Sequence, residues 1–561
     1  ILGGGPAGLF MYKRLIEANN LNIEIDIFER KGHLGSGMPY SPEGANDEHI
    51  TNVSDNEIPV IYNSIHDWVK IAPKEILEHF QINANNFNEY KVLPRLFFGE
   101  YLNAQFELLR HRAEEIGITT RVHLNTTVTD VSDDDTDNNV TVFTNTNDSY
   151  KFDQVIMCTG HNWPKKNEGI VPNYFDSPYP PKKLKLKLDN AVGIKGSSLT
   201  AIDAIRTLAR ENGSFTEHDG IYGYALSKES EGFKIVMHSR NGLLPAVRFH
   251  LEDSHLGKDA TLTNDEIQQH RRENDGFVSL DFVFEKNFKA MFPEKDPEFY
   301  NWIKDMNLET FVETMMDSRE KMDAFELLKQ EYKEAERSIK RKESIYWKEV
   351  LAVLSFAMNY PAKYLSAEDM QRLQKVLMPL ISVVIAFIPQ SSCRDLMALH
   401  DAGLLSIVAV GDDSSVEPVA SGGADYHYTD EEGVDQIVHF DTFIDCVGQP
   451  HLSYTDFPFD SLKQQGIIGP ALLNFRSDKE GKDARDKNSE NVEMHNGDYY
   501  LKVPGITIND NFSVVHKNGK NSERIYIMAV PYIGGYNPDY SGIDFCEAAS
   551  ELVIKNIKFE N

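Results

Sequence analysis

Within its first eight residues the chain places Gly3, Gly5 and Gly8 directly behind the apolar pair Ile1-Leu2, with Pro6 and Ala7 filling the last interval. A second hydrophobic stretch, Ile23 to Phe28, ends on Glu29, twenty-one residues beyond the third glycine. This pattern constrains the fold strongly, because each position has its own task in a βαβ unit shaped for a dinucleotide. Gly3 permits the tight turn from strand to helix, Gly5 lets backbone approach a pyrophosphate, and Gly8 lets helix and strand pack closely. Glu29 stands where a carboxylate accepts from ribose hydroxyls. The unpaired N–H groups at the start of the following helix supply the anion site.

A second unit repeats this grammar. The strand Ala191 to Lys195 runs into the turn Gly196-Ser197-Ser198-Leu199-Thr200, then an apolar-periodic helix, then a strand Lys234 to His238. The motif is altered here: Ser198 replaces the second glycine, and Lys195 takes a place that is usually apolar. Ser197, Ser198 and Thr200 still offer hydroxyl groups to a phosphate. Ser239 and Arg240 follow the second strand, where an acid suits NAD and a base accommodates the 2′-phosphate of NADP. The expectation is therefore NADPH. Two hydrophobic strand endings, Val155 to Gly160 and Phe443 to Gly448, echo each other, as in a chain that leaves and re-enters nucleotide-binding domains.

At 561 residues the chain exceeds a single core. The expected fold class is α/β, two Rossmann-like dinucleotide-binding domains with a helical insertion. The first domain is expected over 1–185, completed by 505–561, and the second over 186–250, completed by 391–460. Residues 251–390, with charged stretches at helical spacing, form the insertion and a possible substrate cap; residues 461–504 are expected as connecting loops. The tract 132–139 reads as a solvated hairpin tip and 476–496 as loop. Lys and Arg number 57 against 87 Asp and Glu, a net charge of −30 that disfavours nucleic acid and anionic membrane. The longest apolar run, Val376 to Ile388, is shorter than the ~18 residues a membrane span needs, and reads as a buried helix or strand. Cys158, Cys393, Cys446 and Cys546 show no CxxC spacing, and the histidines show no metal-binding motif, so the expectation is no metal, no disulfide framework and a reducing cytoplasm. No signal peptide is visible, and because the chain begins inside a strand, residues are expected to precede Ile1.

Several motifs together resemble a group of two-dinucleotide flavoproteins, the one containing FAD-dependent urate hydroxylase and the aspartate N-monooxygenase that forms nitrosuccinate. They are Gly3 to Gly8, Gly35 to Tyr40 with His49 to Val53, Pro94 to Leu102, Cys158 to His161, Gly196 to Asp203, Ser239 to Pro245, and the closing strand and helix. The resemblance implies FAD on the first unit, NAD(P)H on the second, and oxygen-dependent hydroxylation of a small molecule through a C4a-hydroperoxyflavin. It covers the insertion poorly and transfers no substrate. A flavin reductase or dehydrogenase without oxygen insertion is a competing reading. So is a non-enzymatic nucleotide-binding interaction protein whose second site has decayed through Ser198 and Lys195.

The cofactor-binding set expected on the first unit is Gly3, Gly5, Pro6, Ala7, Gly8, Glu29, Arg30, Arg95, Val128, Thr159, Gly160 and Gly542. Arg30 sits near the adenosine or caps the surface. Arg95 offers its guanidinium to a flavin phosphate or ring carbonyl, or forms a structural salt bridge. Val128 resembles the position that contacts adenine through backbone. Thr159 and Gly160 end a buried strand beside the cofactor, and Gly542 opens a helix facing a ligand. His161 and Trp163 line the flavin pocket or merely pack the loop. No catalytic side chain stands out. Arg248 and Arg394 are the cations available to grip an acidic substrate, and the insertion is expected to cover the reacting face of the flavin, the alternative being a contact between copies in a homo-oligomer or an outlying surface domain.

Overall fold

The computed structural model describes residues 1–134, 138–251, 261–449, 451–539 and 542–559. Helix α1 (Pro6–Glu17) starts on the glycine turn with proline in its first turn, where a missing N–H costs nothing. It leads to strand β1 (Glu24–Phe28). After a long excursion come α2 (Arg95–Ile116) and β2 (Thr119–His123), parallel to β1. An antiparallel sheet follows, β3 (Val128–Asp134), β4 (Asn139–Thr144) and β5 (Ser149–Phe152), before β6 (Val155–Met157). The hairpin between β3 and β4 falls where the acidic, Asn-rich tract placed it; its tip, 135–137, lies outside the described residues.

The second unit is a five-stranded parallel sheet. Its strands are β7 (Tyr174–Phe175), β8 (Ala191–Lys195), β9 (Lys234–Ser239), β10 (Leu405–Ala409) and β11 (Thr442–Asp445), in the order β10-β9-β8-β11-β7. Helix α3 (Leu199–Asn212) follows β8, as α1 follows the first turn. Between β9 and β10 the chain leaves for the helical insertion. Its two ends are zipped together: Val247 bridges Ile388, and the backbone N–H groups of Ala246, Arg248 and Ile388 donate to Val383, Ile388 and Ala246. The insertion includes α4 (Ala324–Arg341) and α5 (Tyr346–Ala357), and the apolar run ends in a buried helix, Met378–Val384. Phe325 and Leu328 of α4 pack into the core of the second unit, whereas Leu351 and Leu354 of α5 join the core of the first. The insertion thus shares apolar surface with both units.

Residues 461–504 are not connecting loops. They hold β12 (Pro470–Asn474), α6 (Asp478–Lys487), β13 (Val492–His495) and most of β14 (Asp498–Ile506), the strands forming an antiparallel sheet with β14 in the middle. The stretch 476–496, expected as loop, contains α6, capped by Ser477 and seated with Gly481 against Tyr499. Then β15 (Ser513–Val515) and β16 (Asn521–Ile527) return to the first unit, β16 parallel to β6, and α7 (Gly542–Ile554) packs on α1. Leu2 bridges both Phe28 and Met157, so the first sheet reads β2-β1-Leu2-β6-β16-β15. Among the described residues no helix is long and apolar enough to cross a membrane.

Candidate functional site

The glycine turn leaves no room for side chains. Gly3 has φ +108°, and a Cβ there would lie 2.5 Å from the Cys158 carbonyl oxygen; one on Gly8 would lie 2.1 Å from the Gly3 carbonyl oxygen. A Cβ on Gly5 would face Gly37 at 3.2 Å, so two glycines from different loops meet where backbone borders the open space. Gly5 caps α1 with no side-chain hydrogen bond, which leaves the first N–H groups of the helix available to an anion. The Glu29 carboxylate accepts from the Gly4 N–H at 2.8 Å and the Lys31 N–H at 2.9 Å. Each oxygen retains a lone pair for a further donor.

A cavity opens on this turn. Of the expected residues, Gly3, Gly5, Pro6, Ala7, Glu29, Arg30, Thr159, Gly160 and Gly542 line it, and so does His161. Gly8 lies one layer behind, packing helix on turn. The sequence reading missed two walls. One is Gly37 to Tyr40, carried by the motif Gly35 to Tyr40 that had signalled only a resemblance; the other is Ile543, Phe545 and Cys546 on the first turns of α7. Two helix N-termini, of α1 and α7, therefore border one cavity, each contributing the positive end of its dipole.

Besides Gly8, two residues of the expected set are not in this wall. Arg95 pairs with Asp203 on α3 and donates through Nε to the Ile50 carbonyl at 3.2 Å, so its guanidinium joins the two units instead of facing the cavity. Asp203 also accepts from the Tyr179 hydroxyl at 2.8 Å, and its backbone oxygen meets His49 Nε2 at 3.1 Å. Val128 is the first residue of β3, paired with Thr144 and packed on the core. The two cations proposed for substrate are likewise taken. Arg248 is buried, ion-paired with Glu57 and donating to Ser54 Oγ and the Asn52 carbonyl. Arg394 pairs with Glu217 at 2.9 Å and lies over the Tyr222 ring, on the surface of the second unit.

The second turn copies the first. Gly196 has φ +106°, and its Cβ would lie 2.8 Å from the Cys446 carbonyl oxygen, as Gly3 lies against Cys158. Ser198 caps α3 without a side-chain bond, so this helix start is open too. The Ser197 hydroxyl is not free for phosphate, because it donates to the Leu243 carbonyl at 2.7 Å. Thr200 faces Gly448. Among the described residues Ser239 Oγ is buried without a partner, and the Arg240 side chain is 65 % exposed, with Asp412 no nearer than 3.7 Å. The exits of β6 and β11 are tied to each other. Gln449 receives the Asn162 N–H at 3.0 Å, lies 3.0 Å from His161 Nδ1 and donates to the Asn162 carbonyl at 2.8 Å; Trp163 Nε1 donates to the Gly448 carbonyl at 3.1 Å. His161 thus both borders the cavity and packs the hinge, whereas Trp163 belongs to the hinge, beside Tyr179. The C-terminal ends of the two sheets, where α/β folds bind ligands, meet there.

Residues 1–162 match the FAD-NAD(P)-binding family model, and residues 263–385 match that of the YdhS-like middle domain. Over 473 residues the chain is 31 % identical to the protein YdhS of Escherichia coli (strain K12), covering 83 % of this chain and 85 % of that one. The chain belongs to the YdhS family. Its first unit is an FAD/NAD(P)-binding domain, and the family's middle domain coincides with the insertion. Solved structures of similar course include the ornithine hydroxylase PvdA of Pseudomonas aeruginosa, at 10 % identity and TM-score 0.49 over 99 % of this chain and 98 % of that one. Another is the FAD-bound cadaverine monooxygenase DfoA of Erwinia amylovora, at 10 % identity and TM-score 0.46 over 99 % and 92 %.

Proposed function

We propose that this protein is an FAD-dependent monooxygenase that draws its electrons from NADPH and places one atom of molecular oxygen on a small molecule. The carrying observation is the tied pair of strand exits: two glycine turns with uncapped helices open toward one hinge, which suits transfer from a nicotinamide to a flavin. The motif resemblance to the urate hydroxylase and aspartate N-monooxygenase group supports the same reading.

The residues fit FAD. The free N–H groups of α1 take the pyrophosphate, Gly5 and Gly37 leave the space that any Cβ would fill, and Glu29 accepts from the ribose. When bound, FAD supplies hydride acceptance and oxygen activation. The chain supplies binding, orientation and a closed surround. On the second unit, Ser198 and Thr200 at the open start of α3 hold the pyrophosphate of the nicotinamide cofactor, and the exposed Arg240 holds the 2′-phosphate that distinguishes NADPH. Ser197 takes no part, since its hydroxyl fixes the turn.

The test is to load the protein with FAD and follow NADPH oxidation, oxygen uptake and peroxide release with and without candidate substrates. A monooxygenase consumes oxygen, and its substrate diverts that oxygen from peroxide into product. NADPH oxidation that consumes no oxygen and passes electrons to an added acceptor overturns this reading in favour of a reductase.

A further inference from the structure

Pro531 and Gly542 both line the cavity, and between them Asn537 and Asp539 are held by the insertion. Asn359, just beyond α5, accepts from the Asp539 N–H at 2.9 Å through Oδ1, and its carbonyl accepts from Asn537 Nδ2 at 3.0 Å. Ser355 on α5 donates to the Asp539 carboxylate. Asn359 and Asn537 are 1 % and 2 % exposed, yet among the described residues Asn359 Nδ2 and Asn537 Oδ1 have no hydrogen-bond partner. Turning either amide over would set like against like at the backbone group it engages, so the free atoms are fixed as one donor and one acceptor. Buried polar atoms left unpaired are rare, and two on mutually bonded residues point to a missing partner.

We propose that Asn359, Asn537 and Asp539 form the polar end of the substrate site and receive a protonated amine. The assignment rests on reading the adjoining cavity as the FAD site. Asp539 and Asn537 Oδ1 accept from the ammonium, and Asn359 Nδ2 donates to an acceptor carried near it on the same molecule. No lysine or arginine among the described residues pairs with Asp539. Burial raises its carboxyl to about 6, with only the Ser355 hydroxyl opposing, so an ammonium is the counter-charge that this cluster lacks. The insertion contributes Ser355 and Asn359, and by this route it sets specificity although none of its described residues lines the dinucleotide cavity.

The experiment is calorimetric titration of the FAD-loaded protein with hexylamine, hexanoate and hexanol at about pH 8, where the carboxylate is ionised and the amine protonated. The expected result is saturable binding of hexylamine alone. Asp539→Asn should weaken it by roughly tenfold or more, as loss of a charge-assisted bond does, with FAD content as in the wild type and a melting temperature no lower than the wild type's. Should Asp539→Asn fail to hold FAD, Asn359→Asp decides: it keeps the acceptor that the Asp539 N–H needs, adds a second anion, and should tighten hexylamine binding. Equal binding of hexanoate or hexanol, an amine affinity that neither variant moves, or no amine binding at all, meaning that an ordered water fills the gap, overturns the proposal. The titration uses no NADPH. A wild type that binds the amine but does not react with NADPH therefore defeats the proposed function alone, and one that reduces its flavin but ignores the amine defeats this site alone.

Discussion

At Gly8 a methyl group would stand 2.1 Å from the Gly3 carbonyl oxygen, so α1 would have to move off the turn that positions its N–H groups. Gly8→Ala should lower the FAD content of the purified protein at least roughly tenfold, equivalent to about 1.4 kcal/mol of binding, read as flavin released on denaturation. Arg240 is the opposite case, a side chain reaching into solvent with only a distant acid beside it. Removing it by Arg240→Ala should weaken NADPH by about 1.5–3 kcal/mol and leave NADH unchanged, measured as the ratio of flavin reduction rates with the two cofactors. Gly3, Gly8 and Glu29 were legible in the sequence because their roles depend on spacing within one βαβ unit. Arg95 and Arg248 were not, because the partner of a cation is set by packing: Asp203 stands 108 residues from Arg95, and Glu57 stands 191 from Arg248.

Among the elements, the segment of the second unit that leads into the insertion is joined to the first unit by a buried ion pair. Arg248→Ala should destabilise the protein by about 3–5 kcal/mol, because Glu57 is left buried without its counter-charge, whereas the double variant Arg248→Met with Glu57→Gln should recover most of that loss in denaturant titration. The first turn of α7 carries a second consequence. Burial, with Glu57 and Glu547 nearby, raises the Asp544 carboxyl from 3.8 to about 7. The folded state therefore favours the protonated form. Its contribution to stability is full below the unfolded value and is lost as pH rises through about 7. Asp544→Asn should consequently melt a few degrees, of order 2 °C, above the wild type at about pH 8 and together with it at about pH 4. The helical character of the insertion was legible from its apolar spacing. The sheet of β12, β13 and β14 was not, because its strands gain their order from pairing across the chain, as Leu473 does with Leu501.

Over the whole molecule, two nucleotide folds share one hinge, and a helical domain packs on the cores of both. The repeated endings Cys158 to Gly160 and Cys446 to Gly448 announced that arrangement in the sequence, and each cysteine carbonyl now closes its own glycine turn. The site at the insertion was hidden, since Asn359 and Asp539 acquire meaning only when α5 meets the loop before α7. The central claim is that the two nucleotide sites work together, and anaerobic mixing of the FAD-loaded protein with NADPH tests it directly. The account predicts that the flavin absorbance bleaches with about one NADPH per FAD, since each carries two electrons, and returns when oxygen is admitted. Protein that takes up no FAD, or bound FAD that NADPH leaves oxidised, would contradict it.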